Sequence, residues 1–298
     1  MYAAVECLSE EFALVRICKV LGVCRSAYYC YLNGGSHVLK DEKAKVAKAV
    51  KRVFDFHKRR YGWRRIQAEL RDEGMEVGRH QIRQRMREQG LVAIQPKSFV
   101  PRTTQSHPHL RRSPNLLLEP EHLPAAPDEV VVGDITYLPN LETGYDDWLY
   151  LAIWLDLYSH RIVGWQVGRQ MDDSLVIRAI RQVIRKRQPQ KGFIAHSDGG
   201  GQYGSTDFRA LLNLHHFRQS MTRKDNHYDN AHAESLFSRF KAELLDGGVF
   251  YGLEDAYYRT FEFIEGYYNT IRRHSSIGYI SPVKYEEQFW KKNPGEAM

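Results

Sequence analysis

Three acids in this chain, Asp134, Asp198 and Glu234, stand where carboxylates could do chemistry. Asp134 lies inside the run Val-Val-Gly-Asp-Ile-Thr-Tyr that ends at Tyr137. A charge in the middle of an apolar strand is costly unless it is paired or bound to metal. Asp198 follows an expected strand, Phe193–His196, in the string His-Ser-Asp-Gly-Gly-Gly-Gln-Tyr. A carboxylate at a strand's carboxyl end, beside glycines, is well placed to face a ligand. Glu234 falls in the first turns of an expected helix, Asp229–Leu245. There Ala233, Leu236, Phe237, Phe240 and Leu244 make an apolar face, and Asn230, Glu234, Ser238 and Lys241 an adjoining polar stripe. Taken singly, each acid has an ordinary explanation: an exposed strand edge, a capped turn, a solvated helix face. Together, on strand, strand end and helix, they are the hard oxygen ligands that Mg²⁺ or Mn²⁺ prefers. Two such ions, about 3.5–4 Å apart, can serve an in-line displacement at phosphorus.

The elements that must hold these acids are legible around them. Val130–Leu138, Trp148–Leu157 and Arg161–Val167 are rich in β-branched and aromatic residues, with turns at Thr143-Gly144 and Ser159-His160. They read as three adjacent strands joined by hairpins. A helix over Asp173–Arg187 follows, with Ser174 or Asp173 as its cap, then the short strand Phe193–His196. After it come a helix Ser205–Leu214, a strand Phe217–Ser220 and two long helices, Asp229–Leu245 and Leu253–Thr270. This order predicts a mixed α/β layer with helices on both faces of one sheet.

The front of the chain reads differently. A helix over Phe12–Leu21, a break at Gly22 and a second helix over Arg25–Leu32 outline a helix-turn-helix. A longer helix over Asp41–Lys58 precedes a second pair, Trp63–Glu73 and Arg79–Gln89. On the last of these, Arg79, Arg83 and Arg87 recur at steps of four on one face. Such a stripe is either a solvated face or a contact for a polyanion. Charge favours the second: through Asp128 there are 23 Lys+Arg against 14 Asp+Glu, and from Glu129 onward 20 against 22. Seven of the eleven prolines fall between Pro96 and Pro127, so no helix or ladder is expected to run through that stretch. The divisions that follow are a helical region 1–92, a Pro-rich linker 93–128 and a core 129–290. The four cysteines lack any Cys-x-x-Cys pair, so reduced thiols are expected rather than zinc. No apolar run approaches the roughly 18 residues of a membrane span, and no secretory leader is recognisable at the N-terminus, so a cytoplasmic protein is expected.

From about Glu129 to Phe289 the chain resembles the integrase core of DDE transposases. More narrowly it is similar to the second-frame (OrfB) transposases of bacterial insertion sequences. The strings that carry the resemblance are Gly-Asp-Ile-Thr-Tyr at 133–137, Asp156-Leu-Tyr-Ser-His-Arg-Ile-Val-Gly-Trp165 and His196-Ser-Asp-Gly-Gly-Gly-Gln-Tyr203. Further on stand Tyr228-Asp-Asn-Ala-His-Ala-Glu234, Phe240-Lys-Ala-Glu243 and Tyr268-Asn-Thr-Ile-Arg-Arg-His-Ser-Ser276. In the front half, Val20-Leu-Gly-Val-Cys-Arg-Ser-Ala-Tyr-Tyr29 and Tyr61-Gly-Trp-Arg-Arg-Ile66 are similar to that family's two helix-turn-helix segments. Gly199 and Lys224-Asp225 depart from the family's usual residues, and Gly199 leaves its loop freer.

The resemblance implies a ribonuclease H-like mixed-sheet catalytic core preceded by all-α helix-turn-helix DNA-binding segments. It implies a transposase that cuts and joins DNA at the ends of its own element, using Asp134, Asp198 and Glu234 as catalytic residues and ligands of two Mg²⁺ or Mn²⁺ ions. Lys241, Arg272, Arg273 and His274 would contact DNA. So would Arg64, Arg65, Arg79, Arg83 and Arg87 of the front helices, while His196, Gln202, Tyr203 and Asn230 would shape the site. Arg272–His274 has a plainer reading, as a helix end complementing its dipole. Asp229 is read as the cap of the Glu234 helix, and Asp225 as uninvolved. Direct displacement needs no covalent protein–DNA intermediate. Rival readings are a DNA-binding regulator without catalysis and a nuclease that cleaves without joining. The first sits poorly with all three acids and Lys241 being present, the second with the front DNA-binding segments. Without a sustained heptad pattern, homo-oligomerisation on DNA is expected to draw on an upstream-frame partner or a frameshift fusion.

Overall fold

The computed structural model describes residues 2–33, 41–95, 112–142, 147–223, 231–246 and 248–294, with backbone only at Asp41 and at 231–237. The chain forms two compact units, Met1–Ala93 and Ile94–Met298.

The first unit is all helical: α1 (Tyr2–Leu8), α2 (Leu14–Val20), α3 (Arg25–Leu32), α4 (Asp41–Phe56), α5 (Trp63–Asp72) and α6 (Arg79–Glu88). Val5, Ile17, Cys18 and Tyr28 form a small buried cluster that ties α1 to the α2–α3 pair. Gly22 takes a positive φ of 64° in the turn between α2 and α3, a conformation that glycine adopts without strain. In the second pair, Ile66, Leu70 and Ile82 are fully buried, and Gln67 Nε2 donates to the Val77 carbonyl at 2.9 Å across the turn. The helices match the expected ones to within a few residues, and α1 is additional.

The second unit is built on a five-stranded sheet in the order β3-β2-β1-β4-β5. Its strands are β1 (Val130–Asn140), β2 (Asp147–Asp156), β3 (Ile162–Gly168), β4 (Ile194–Ser197) and β5 (Arg218–Met221). The first three pair antiparallel, whereas β4 lies parallel to β1 and β5 parallel to β4. Side chains alternate between two cores, as the pleat requires. Leu151, Ile153 and Leu155 pack on one face with Phe240, Leu244 and Phe263. Ala152 and Trp154 pack on the other with Val176, Ile180 and Phe208. The helices are α7 (Asp173–Arg187), α8 (Thr206–Leu214), α9 (Ala231–Leu245), α10 (Leu253–Phe261) and α11 (Pro282–Lys292).

Three details differ from the sequence reading. The cap of α7 is Asp172, whose carboxylate accepts from Leu175 N at 3.0 Å, rather than Asp173 or Ser174. The last long helix is not uniform: α10 passes into a π-helical stretch over Glu262–Tyr268. This delivers Asn269 to the edge strand, where its side chain bonds both the N–H and the C=O of Ile162 at 2.9 Å. Finally, the described part of the Pro-rich stretch, read as a linker, is docked on the sheet. It makes 3-10 turns at Leu116–Leu118 and Pro120–His122, which proline at the first position of a turn permits, and lies along β5. The expected turn at Thr143-Gly144 lies outside the described residues.

Candidate active site

The parallel seam between β1 and β4 places the two strand acids. Gly133 stands opposite Ser197 at the end of that ladder, so the next residues, Asp134 and Asp198, come abreast. Neighbouring strands lie about 4.8 Å apart. Gly133 is required where it stands, because Trp154 crosses it and a Cβ would come within 2.5 Å of the indole ring. Asp134 is half-buried and shares the face of Val132, which packs in the core lined by α9. The backbone N–H of Ile135 donates to its Oδ1 at 2.8 Å. Asp198 receives the N–H of Gly200 at 3.0 Å. Burial pushes the Asp198 carboxyl above its ordinary value, against that hydrogen bond and the positive charge of Arg112.

Glu234 lies in the first turns of α9, with its side chain outside the described residues. Seven residues on, Lys241 is half-buried and its ammonium is within electrostatic reach of Asp134. Burial lowers its pKa and the Asp134 charge works the other way. The helix that carries Glu234 therefore crosses the sheet at Asp134. Asn230, Asp225 and Asp229 lie outside the described residues.

Tyr203 is buried, and its hydroxyl has no partner among the described residues. Its pKa is pushed up well above the usual value, first by burial and then by the charges of Asp134 and Asp198. Its ring packs edge-on against Trp154 and Phe208. Gln202 holds the loop through a 2.9 Å bond from Nε2 to the Met171 carbonyl. His196 is buried, with Nδ1 at 2.8 Å from Ser220 Oγ. Two adjacent hard carboxylates, with a buried, unpartnered hydroxyl within electrostatic reach of both, suit a divalent cation with oxygen-bonded water. Asp134 and Asp198 fit such a site, and the backbone of Glu234 is carried toward it on the same helix as Lys241.

Another group of potential ligands, Glu119, Glu121 and His122, gathers at the 3-10 turns. His122 is engaged there by the Leu116 carbonyl at 3.0 Å and by Arg218 at 2.9 Å. Both glutamates are exposed, so the group reads as a surface ion cluster.

The basic residues divide sharply. Arg64, Arg79, Arg83 and Arg87 are exposed on α5 and α6. Arg65 is half-buried, donates to the Arg60 carbonyl at 3.2 Å and lies over the Tyr61 ring. In contrast, Arg272 is only 3% exposed. Its Nε and Nη2 grip Glu243 at 2.6 and 2.7 Å. Burial alone would lower its pKa, but Glu243 holds it above the ordinary value. Arg273 donates to the Tyr279 carbonyl at 2.8 Å, and His274 packs edge-on against Tyr268. The expectation that Arg272–His274 hold a DNA backbone is therefore replaced by a structural account. All three are buried, and the Arg272 guanidinium is already spent on a carboxylate.

Asp156, in a string singled out by motif, is likewise internal. It accepts from Asp128 N, Ser159 N and Ser159 Oγ at 2.7 to 2.8 Å. Ser159 passes on to Glu286 of α11, which also takes Arg161 and Arg187. Arg112 was not among the residues expected at the site. Its only sequence signal is a cation inside the Pro-rich stretch.

A five-stranded mixed sheet with two acids at the β1–β4 seam, following a helical unit in the chain, defines a class: an integrase core preceded by helix-turn-helix segments. Family models agree. Two models of an integrase core domain match residues 124–227 and 215–282, and a model of an HTH-like domain matches residues 40–99. The chain is 35% identical over 289 residues to the transposase InsF for insertion sequence IS3A of Escherichia coli strain K12, covering 96% of this chain and 98% of that one. It is 36% identical over 273 residues to an uncharacterized 31 kDa protein of insertion element IS600 from Shigella sonnei, covering 92% and 98%. Among solved structures, the catalytic core domain of HTLV-2 integrase in complex with magnesium aligns at 15% identity with a TM-score of 0.41. That alignment covers 54% of this chain and 98% of the other. The chain belongs to the IS3 family of insertion-sequence transposases.

Proposed function

We propose that this transposase cleaves and joins DNA at the ends of its element by direct, metal-dependent attack on phosphodiesters. The observation that carries this reading is the placement of Asp134 and Asp198 abreast at the β1–β4 seam, under the helix that bears Glu234 and Lys241. Asp134, Asp198 and Glu234 would hold two Mg²⁺ or Mn²⁺ ions, which when bound supply Lewis-acid activation of the attacking and leaving oxygens. The chain's own groups do the rest. Lys241 offers a point charge to a phosphate near the cut, its ammonium meanwhile balanced by Asp134. Tyr203, Gln202 and His196 fix the loop that carries Asp198. The exposed Arg64, Arg79, Arg83 and Arg87 grip the DNA backbone and set the position of the ends.

The attacking group is water or a DNA 3′-hydroxyl, so no protein–DNA covalent link forms. A homo-oligomer on DNA, an upstream-frame partner or fusion, and work in the cytoplasm on the nucleoid belong to the same reading. Among the described residues, no helix is long and apolar enough to cross a membrane.

The test uses labelled element-end duplexes with Mg²⁺. Asp134→Asn, Asp198→Asn and Glu234→Gln should each abolish nicking and joining while end binding persists. A variant with near-normal nicking removes that residue from the metal site. A wild-type protein that binds ends but never cuts them supports the rival reading, a regulator without catalysis.

A further inference from the structure

One cation at the site has no part in the reading above. Arg112 is half-buried, and its guanidinium lies against Gly199, the residue after Asp198, where a Cβ would collide with Cζ and both terminal nitrogens. Its charge reaches Asp198, yet the two make no direct salt bridge among the described residues. A 3.5 Å bond from Nη1 to the Thr222 carbonyl is its hydrogen bond there. A guanidinium carries five donors in a planar fork that matches a phosphate edge to edge. Among the described residues most of that fork is unspent, and it lies beside Asp198, where limited solvent strengthens the attraction of a cation for an anion.

The backbone behind Arg112 is fixed. Ser113 Oγ donates to Gln219 Oε1 at 2.8 Å, and Met221 N donates to the Pro114 carbonyl at 3.2 Å. Leu116 N donates to Ser220 Oγ at 2.9 Å. The same two β5 side chains also reach the site loop and the strand that leads into it. Gln219 Nε2 donates to the Tyr203 carbonyl at 2.6 Å, and Ser220 Oγ meets His196 Nδ1. The segment that delivers Arg112 and the loop that delivers Asp198 are thus clamped to one strand. The cost of ordering a long side chain near a substrate is partly met in advance.

We propose that Arg112 is a DNA-phosphate ligand of the active site, seated on Gly199 to grip a phosphodiester next to the one attacked at Asp134 and Asp198. This rests on the phosphoryl-transfer reading above. An arginine that served only to neutralise Asp198 would close onto the carboxylate as Arg272 closes onto Glu243. Arg112 makes no such contact among the described residues, so its fork stays available to a third, anionic group.

The experiment uses the full chain, a pre-nicked element-end duplex with a free 3′-hydroxyl, and Mg²⁺. Wild type and Asp198→Asn come first: joining by both would overturn the phosphoryl-transfer reading itself, independently of Arg112. With that reading standing, Arg112→Ala is expected to raise KM for the end at least tenfold. It should also reduce the slope of log affinity against log salt by about one. Arg112→Lys should recover part of the loss, since it keeps the charge but not the fork. Gly199→Ala displaces only the far end of a flexible side chain, so it should fold, as thermal melting will show, and reproduce the Arg112→Ala defect. The double variant should be no worse than either single one. Wild-type KM and salt slope in Arg112→Ala would overturn the proposal, as would a change confined to the Mg²⁺ requirement, which would make Arg112 a counter-ion of Asp198. If Arg112→Ala fails to fold, normal joining by Gly199→Ala overturns it instead.

Discussion

On α6, Arg79, Arg83 and Arg87 stand exposed one helical turn apart, whereas in the sheet unit Arg272 and Arg187 are buried or nearly so, each against a carboxylate: Glu243 for one, Glu286 for the other. All five are arginines in strings that a sequence reader marks as basic. The difference lies in what surrounds them. A guanidinium taken out of water must find a carboxylate, and once paired it is bound into the fold. One left at the surface of a short helix keeps its donors for a partner. The density of positive charge therefore says less about DNA contact than does the absence of a buried acid within reach.

The comparison is broken most severely at Arg272. Removing one side of a buried ion pair leaves the other charge stranded, at a cost of about 3–5 kcal/mol. Arg272→Ala should therefore lower the urea midpoint of the sheet unit drastically or prevent its folding, and DNA affinity should fall only in step with the folded fraction. A well-folded Arg272→Ala protein with a specific loss of end binding would return Arg272 to the DNA interface.

The opposite result is expected on α6. The triple variant Arg79→Ala, Arg83→Ala, Arg87→Ala should melt as wild type, because surface substitutions of this kind change stability by about 0.5 kcal/mol or less. It should nonetheless bind DNA at least tenfold more weakly, with a salt slope reduced by about three. Gel shifts over a salt series measure both quantities. Unchanged binding would make that stripe a solvated face.

The smallest effect concerns the buried acid of the second network. Burial raises Asp156 to about 6, overcoming three hydrogen bonds that favour its ionised form. A carboxyl whose folded value lies above its unfolded one binds its proton more tightly when folded. Its contribution therefore favours the native state as pH falls below 6 and is lost as pH rises through 6. Asp156→Asn cannot titrate. Wild type should thus gain about 1 kcal/mol relative to that variant between pH 7 and pH 5, measured by urea unfolding. A gap that stays constant over this range would show that Asp156 remains ionised.

These cases also show which parts of the molecule were legible in the sequence. Strand β1 was visible because β-branched residues surround Asp134, and the glycines after Asp198 marked a strand end. Both signals are local. The seam that brings the two acids abreast is not local, since β1 and β4 are 64 residues apart between Val130 and Ile194, and the order of elements gave a mixed sheet without saying which strands pair. What could not be read were partners. Glu243 lies 29 residues before Arg272, and nothing in the string Arg-Arg-His announces it. Arg112 depends on contacts with β5 more than a hundred residues away, and its seat exists only because Gly199 lacks a Cβ. Helix α1 escaped notice because seven residues carry too little periodicity.

The central claim is that Asp134, Asp198 and Glu234 are ligands of a catalytic divalent metal, and thiol substitution tests it most directly. Asp134→Cys, Asp198→Cys and Glu234→Cys replace a hard oxygen ligand by sulfur, which Mg²⁺ accepts poorly and softer Mn²⁺ tolerates better. Strand cleavage of element ends, measured in each metal, should be lost by all three variants in Mg²⁺ and regained in part in Mn²⁺. Wild-type cleavage in Mg²⁺ by any folded cysteine variant would contradict the account.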